Sequence, residues 1–335
     1  MRLMCLAGRA LLALAVLGPA SAAALELDRP EVHSFVDQMV ERHHLDRGWV
    51  ERVVGAAESK PAIIEAMTRP AERVMQWHGY RKIFMTEQRI RDGRAFYAEH
   101  RALLEQTAAR TGVPAEIIAA ILGVETFYGQ KTGRYRALDA LATLAFDFPA
   151  RASFFRGELE QFLLLSREAG FDPLKVTGSY AGALGAPQFM PDSYRSYARD
   201  GDHDGRIDLW NDWPDIVESV AHYFVAHGWR AGEPVGAVAD LWDPDVEGLP
   251  GNRLDLLQTV ADLHGRSVEF ATSLADDAQA MFVALRDADG PTYRVGFHNF
   301  WVITRYNHSA MYALAVSELA AAIIAEPAPG AGPQP

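Results

Sequence analysis

The stretch Pro114–Gly129, PAEIIAAILGVETFYG, decides how the chain is read. Pro114 suits the opening of a helix, where its missing N–H costs nothing. Ile117, Ile118, Ile121 and Val124 then fall on or near one face, in a run that is almost wholly apolar. Such a helix belongs in a core. It ends on Glu125, followed by Thr126, Phe127 and Tyr128. A carboxylate at the end of a buried helix, beside aromatics, loses solvation, and that raises its pKa toward the range of a general acid. Spacing alone leaves an alternative open: a helix-end glutamate facing solvent or an arginine such as Arg151.

Outward from this helix the pattern stays mainly α. Before it, Phe35, Met39 and Val40, then Ile63, Ile64 and Met67, recur at helical spacings broken by Pro61 and Pro70. Asp92-Gly93 precedes a further helix carrying Phe96, Leu103 and Leu104. After it, Phe154–Arg167 reads as a helix with Phe155, Leu159, Phe162 and Leu163 inward and Glu158, Glu160 and Arg167 outward. Residues 180–215 are rich in glycine, proline and aspartate and read as loops. Helix returns over Ile216–His227. Between Gly236 and Phe297 the texture is that of a small α+β insertion, with strands at Met281–Leu285 and Tyr293–Phe297 around a turn at Asp289-Gly290 and a short helix over Leu254–His264. A last helix covers Tyr312–Ile324, and the Pro/Gly/Ala-rich tail 326–335 reads as disordered. The fold class is mainly α, or α+β.

Composition narrows the function. The chain has 335 residues, 49% hydrophobic and 23% charged, as in an ordinary globular protein. At its start Arg2 and Arg9 flank an apolar run, Ala10–Leu17, which leads through Gly18 and Pro19 to a string of small residues. That order predicts a signal peptide over residues 1–22. About ten apolar residues are too few to span a bilayer. Cys5 precedes the run, where a lipid-anchored cysteine would follow it. The net charge of −12 repels nucleic acid and anionic lipid, so a ligand is expected to be held by stacking and hydrogen bonds.

The sequence holds no HExxH zinc pair, no Gly-rich phosphate loop and no GxSxG elbow, and the predicted mature chain holds no cysteine nucleophile. What remains is carboxylate chemistry. The stretch Gly178–Pro191, GSYAGALGAPQFMP, offers Ser179, Tyr180 and Gln188 on a tight loop beside flat apolar surface. Sugar sites need that mixture, although Phe189 and Met190 could equally plug a core. The loop Asp200–Asp208, DGDHDGRID, matches an EF-hand calcium loop at its first, third, fifth, sixth and ninth positions. Asp200, Asp202 and Asp204 would converge on a cation, with Arg206 at the seventh position and Ile207 pointing inward at the eighth. The twelfth position, normally glutamate, is Asn211. A structural Ca2+ is expected, and no cofactor for catalysis.

Four segments together are more specific: Gly123-Val-Glu-Thr126, Asp139-Ala-Leu-Ala-Thr-Leu144, Gly178–Pro191, and Arg305-Tyr-Asn-His-Ser309 with Tyr312-Ala-Leu-Ala-Val316. In that order, from about Pro70 to Leu319, the chain resembles the lytic murein transglycosylase B family, glycoside hydrolase family 103. The resemblance implies a lysozyme-like catalytic core with a flanking helical domain and a small β-rich domain. On that basis residues 25–100 form the N-terminal helical region, 101–230 the core with its EF-hand-like loop 200–215, 236–297 the β-rich domain, and 298–325 a helical segment completing the groove. It also implies that Glu125 is the catalytic acid and that Ser179, Gln188, Tyr223 and Asn307 are groove positions, along with Tyr80, Arg151, Phe189, Met190 and Tyr312. Asp215 would close a longer metal loop.

The implied reaction is cleavage of peptidoglycan glycan strands by a periplasmic, monomeric enzyme, with cell-wall synthesis or division proteins as candidate partners. Glycosidases that use water need two carboxylates at a set separation. A lytic transglycosylase needs one: Glu125 protonates the bridging oxygen, then takes the proton of the muramic acid C6 hydroxyl as it closes onto C1. The substrate's N-acetyl group would be held by Ser179 or Asn307. A muramidase is the alternative, with Asp139 and Asp147 as candidate second carboxylates, and a non-catalytic peptidoglycan-binding protein is another. Two features depart from the family pattern. Pro187 stands where some relatives carry glycine, and Thr126-Phe127-Tyr128 places aromatics just after the glutamate.

Overall fold

The computed structural model describes residues 23–68, 75–242 and 253–325. The expected signal peptide 1–22, Pro70 and the expected disordered tail 326–335 lie outside them. The helix Ala115–Thr126 is the axis of the fold: every residue from Ile117 to Val124 is buried. Each of its isoleucines contributes roughly 1.5–3 kcal/mol by leaving water. Packed around it are the helices Glu87–Glu99, Arg101–Thr111, Trp213–Ala226 and Ala310–Ile324. Among the described residues no single helix is long and apolar enough to cross a membrane.

Tyr128 explains a feature that the sequence reading misplaced. Gly93 lies inside the helix Glu87–Glu99 and does not precede a new one. A Cβ on Gly93 would sit 2.2 Å from the Tyr128 Oη, and one on Gly123 would sit 2.7 Å from the same ring. The two glycines therefore form a slot between helices for a phenol, whose hydroxyl donates to the Arg89 carbonyl at 2.9 Å. Close approach, not a turn, is what glycine supplies here.

The helices Ala137–Asp147 and Ala152–Glu168 pack side by side next to this bundle. Their polar residues hold the N-terminal helices. Arg29 pairs with Asp147 at 2.7 Å and donates to the Phe146 carbonyl at 2.8 Å. Ser59 donates to Asp147 at 2.6 Å, and the Glu58 N–H donates to Asp139 at 2.8 Å. Glu160 takes hydrogen bonds from Gln38 and His43, both at 2.8 Å. Glu158 and Glu160, expected to face solvent, are therefore buried. The helix pattern marks the apolar stripe correctly, but tertiary neighbours cover the opposite face as well. Arg167 is exposed as expected.

The small sheet is antiparallel, in the order Gln258–Thr259, Gln279–Asp287, Gly290–Gly296, Gly236–Leu241, Val268–Glu269. Asp287 pairs with Gly290 across the expected turn. Alternation along Gln279–Asp287 gives the sheet two apolar faces. Ala280 and Phe282 enter a small core with Val260, Leu263, Val268 and Val295, whereas Met281 and Val283 join the main core. The expected helix over Leu254–His264 is confined to Val260–His264, because Thr259 and Asp262 form a capping box that starts it there. The last helix begins at Ala310, two residues earlier than expected, with Ser309 accepting from the Tyr312 N–H at 3.2 Å.

Candidate active site

Glu125 sits on the last turn of the axial helix, partly exposed where the residues before it are not. The helix then stops abruptly: Phe127 and Tyr128 both adopt left-handed backbone, with φ of 54° and 60°. Each costs about 1–2 kcal/mol for a residue with a Cβ. The Tyr128 N–H bonded to the Leu122 carbonyl at 2.9 Å and the Lys131 N–H bonded to the Thr126 carbonyl at 2.8 Å hold the bend. Of the two aromatics that depart from the family pattern, Tyr128 goes into the core. Phe127 remains at the edge with Arg89 and Lys131 against its ring, at 4.9 and 5.1 Å from the centroid.

One phenol meets Glu125 and a second stacks behind it. Tyr312 donates its hydroxyl to Glu125 Oε1 at 2.5 Å. The Tyr306 ring stacks on Tyr312, with centroids 6.4 Å apart and planes 11° from parallel. Burial and the nearby Glu125 charge push both phenols well above the usual tyrosine range. They are donors at any working pH. The Glu125 carboxylate and the phenol of Tyr223 both bear on Tyr306. Asp139 and Asp147, weighed as second carboxylates, are bonded to Arg136 and the Glu58 N–H and to Arg29 and Ser59 respectively.

The glycine-rich loop is fastened to this point. Thr126 Oγ donates to the Ala186 carbonyl at 2.8 Å, and Tyr306 Oη donates to the Pro187 carbonyl at 2.6 Å. Gln188 adopts φ 53°, and its amide donates to the carbonyls of Thr132 and Gly185 at 3.0 and 2.9 Å. Its Oε1 is left as the remaining acceptor. Phe189 is buried against Tyr223 and Tyr306. Tyr223 spends its hydroxyl on the Arg305 carbonyl at 2.7 Å, so its first role is to hold the Tyr306 segment. Ser179 Oγ accepts from Ala183 and Ala181 N–H at 3.1 and 3.3 Å, which leaves its proton to donate elsewhere. Met190 is partly exposed at the start of the helix Pro191–Tyr197, and Tyr80 is buried beside Tyr312.

A groove of ≈ 1180 Å³ runs past this cluster, with Arg151, Tyr180, Asn307 and Ser309 on its walls and Trp77 and Leu285 further along. Arg151 is exposed there and rests on Phe154, 4.3 Å from the ring centroid. Glu125 does not line the groove itself. Its partner Tyr312 is on the helix whose first turn, Ser309–Met311, forms the groove wall. Sequence reasoning quoted Tyr306 within a motif but gave it no role. The usable signal was a second tyrosine flanking the break between two helices, six residues before Tyr312. Replacing Tyr312 by Phe removes a hydrogen bond to a charged group, worth about 1.5–3 kcal/mol. We expect turnover to fall at least about tenfold with the fold unchanged. Steady-state kinetics and circular dichroism check this.

In the acidic loop, Asp200, Asp202 and Asp204 place carboxylate oxygens within 4.8 Å of one another. Asp215 is not in that cluster. It is buried, and its two oxygens accept from the N–H groups of Gly201 and Asp208, both at 2.7 Å. It closes the loop's base by hydrogen bonding. Arg206 is exposed at the loop's rim, and Ile207 is half-buried, its carbonyl accepting from Tyr194 Oη at 2.7 Å. The next buried residue, Leu209, accepts from the Ala186 N–H at 2.7 Å. The acidic loop thus buttresses the loop that carries Gln188.

Residues 28–321 match the family model described as a transglycosylase SLT domain. The chain is 39% identical to the membrane-bound lytic murein transglycosylase B of Escherichia coli (strain K12), over 88% of this chain and 83% of the relative. The crystal structure of the soluble lytic transglycosylase SltB1 from Pseudomonas aeruginosa superposes with a TM-score of 0.83 at 46% identity, covering 88% of this chain and 98% of that one. The Escherichia coli lytic transglycosylase Slt35, solved in complex with calcium, gives 0.80 at 38% identity, covering 90% and 95%. With its axial helix ending at Glu125, a glycine-rich loop fastened to that end and a helical body carrying one small sheet, this chain belongs to the transglycosylase SLT-domain family.

Proposed function

We propose that this protein is a lytic transglycosylase of the cell envelope that cleaves the bond between N-acetylmuramic acid and N-acetylglucosamine in peptidoglycan, with Glu125 as acid and then base. The observation that carries the reading is the Tyr312 hydroxyl set on Glu125 at the end of a buried helix, while Asp139 and Asp147, the other carboxylates considered, are paired with Arg136 and Arg29. Tyr312 fixes the carboxyl group at the end of the buried helix. The Glu125 proton passes to the bridging oxygen as its bond to C1 breaks. The substrate's N-acetyl carbonyl, oriented by Ser179 or Asn307, stabilises the cation at C1. Glu125, now a carboxylate, takes the C6 hydroxyl proton as O6 bonds to C1. The acid is regenerated, a 1,6-anhydro ring is released, and no water is consumed. One group can serve both steps because the second reverses the proton transfer of the first.

Tyr180 and Arg151 on the groove wall and Gln188 through its Oε1 are proposed to hold the strand, with Met190 beside them and the buried Phe189 and Tyr80 packed behind the site. Digestion of purified murein sacculi tests the proposal: soluble muropeptides ending in anhydro-muramic acid are expected. Reducing-end muramic acid would establish a muramidase, and no release at all a binding protein. A periplasmic location follows from the substrate.

The acidic loop is proposed to hold a structural Ca2+ through Asp200, Asp202 and Asp204, with the Arg206 carbonyl and Asp215 completing the donor set. Three convergent carboxylates suit a hard cation, which takes oxygen ligands, and a calcium complex of the relative Slt35 agrees with this. Calcium at about 100 times its Kd would add about 2.7 kcal/mol. We expect a rise in melting temperature of several degrees over the EDTA-treated protein, abolished by Asp200→Asn with Asp204→Asn. Equal melting temperatures with calcium and with EDTA would contradict the assignment.

A further inference from the structure

Glu158 is a buried acid that neither the proposed reaction nor the acidic loop uses. It lies on the helix Ala152–Glu168, and its Oε2 accepts from the Asp192 N–H at 3.1 Å. Asp192 is the second residue of the helix Pro191–Tyr197, which follows Met190. The segment Pro187–Asp192, which carries Gln188, Phe189 and Met190, is therefore held at both ends. Tyr306 Oη grips the Pro187 carbonyl at one end and Glu158 grips the Asp192 N–H at the other. The first tether belongs to the Glu125 cluster; the second comes from outside it.

We propose that Glu158 is a positioning residue of the site, the far tether that sets where Gln188 to Met190 stand against the bound glycan. This inference rests on the proposed function for the identity of the ligand. Two charged groups bear on Glu158: Asp192, and Arg151 on the groove wall. Arg195, on the same short helix as Asp192, is engaged by Glu168 at 2.6 Å, and on the neighbouring helix Asp139 and Asp147 are paired with Arg136 and Arg29. Burial is consequently the main influence on Glu158, raising it to about 7 from the ordinary 4.5. A carboxyl group raised on folding lends stability at low pH and loses it as pH climbs through about 7. The tether therefore works against stability at neutral pH, where a neutral acceptor of the same shape would not.

Three variants test this by kinetics on sacculi, with release of soluble fragments measured whatever their termini. Glu158→Ala removes the acceptor, and Glu158→Asp withdraws it by one methylene. Both are expected to raise KM about tenfold with kcat within about twofold of wild type. Glu158→Gln keeps an acceptor for the Asp192 N–H. It should restore KM while melting above wild type at pH 8 and nearly level with it at pH 4. An unchanged KM in folded Glu158→Asp would overturn the proposal. So would a loss confined to apparent kcat in proportion to the unfolded fraction, which is the mark of a structural role. Because the readout ignores the product's end group, hydrolytic products would refute the transglycosylase reading and leave this one standing.

Discussion

Glu125→Gln is expected to fold like the wild type and to release soluble fragments from sacculi at no more than about a hundredth to a ten-thousandth of its rate, the range for losing a general acid or base. The amide has the same shape and can still accept from Tyr312, so the helix end and the phenol pair stay in place. It cannot give a proton to the bridging oxygen. It also cannot take one from the C6 hydroxyl, so both proposed steps fail together. KM should move little, since Gln188, Arg151 and Asn307 are untouched. Kinetics with matched melting curves check the result. Undiminished turnover would remove Glu125 from the chemistry.

The second large effect is on stability. Gly185→Ala places a Cβ 2.3 Å from the Leu209 carbonyl oxygen, in backbone with φ of 67°. The left-handed conformation costs about 1–2 kcal/mol for an L-residue, and forcing the two backbones apart costs about 1–3 kcal/mol more. The neighbouring Ala186 to Leu209 hydrogen bond is strained with it. About 2–5 kcal/mol is a large share of a typical 5–15 kcal/mol total. We expect a clear fall in melting temperature, and lower activity at temperatures where the variant is still folded, because Ala186 is also where Thr126 holds the loop. Gly157→Ala is the control. A Cβ there meets nothing within 4 Å, on an exposed helical turn, so it should be neutral or slightly stabilising. Equal melting temperatures for the two variants would show that the acidic loop does not brace the site.

The axial helix and its glutamate were legible because the cause is local: a proline start, an unbroken apolar run and a carboxylate at its end. The turn expected at Asp289-Gly290 was legible to within one residue for the same reason, since the two turn residues are Ala288 and Asp289 and Gly290 pairs with Asp287. Glu158 and Glu160 were not, since the burial of a polar face depends on which elements cover it. Gly93 was misread because a helical glycine that admits a distant ring looks, in sequence, like a helix boundary. The role of Tyr306 was hidden because stacking on Tyr312 and bonding to Pro187 are both contacts across the fold. In the acidic loop the aspartate spacing identified the cluster of Asp200, Asp202 and Asp204, but the hydrogen bonds from the Gly201 and Asp208 N–H groups to Asp215 are contacts across the loop that spacing does not show.

The central claim is that one carboxylate suffices because the substrate's own hydroxyl replaces water. Digestion of sacculi in water enriched in heavy oxygen, followed by mass spectrometry of the released muropeptides, tests it most directly. The account predicts new muramic acid ends that are lighter by one water and carry no label. Labelled reducing ends, formed at a rate that Glu125→Gln abolishes, would contradict it and require a second group near Glu125 to activate water.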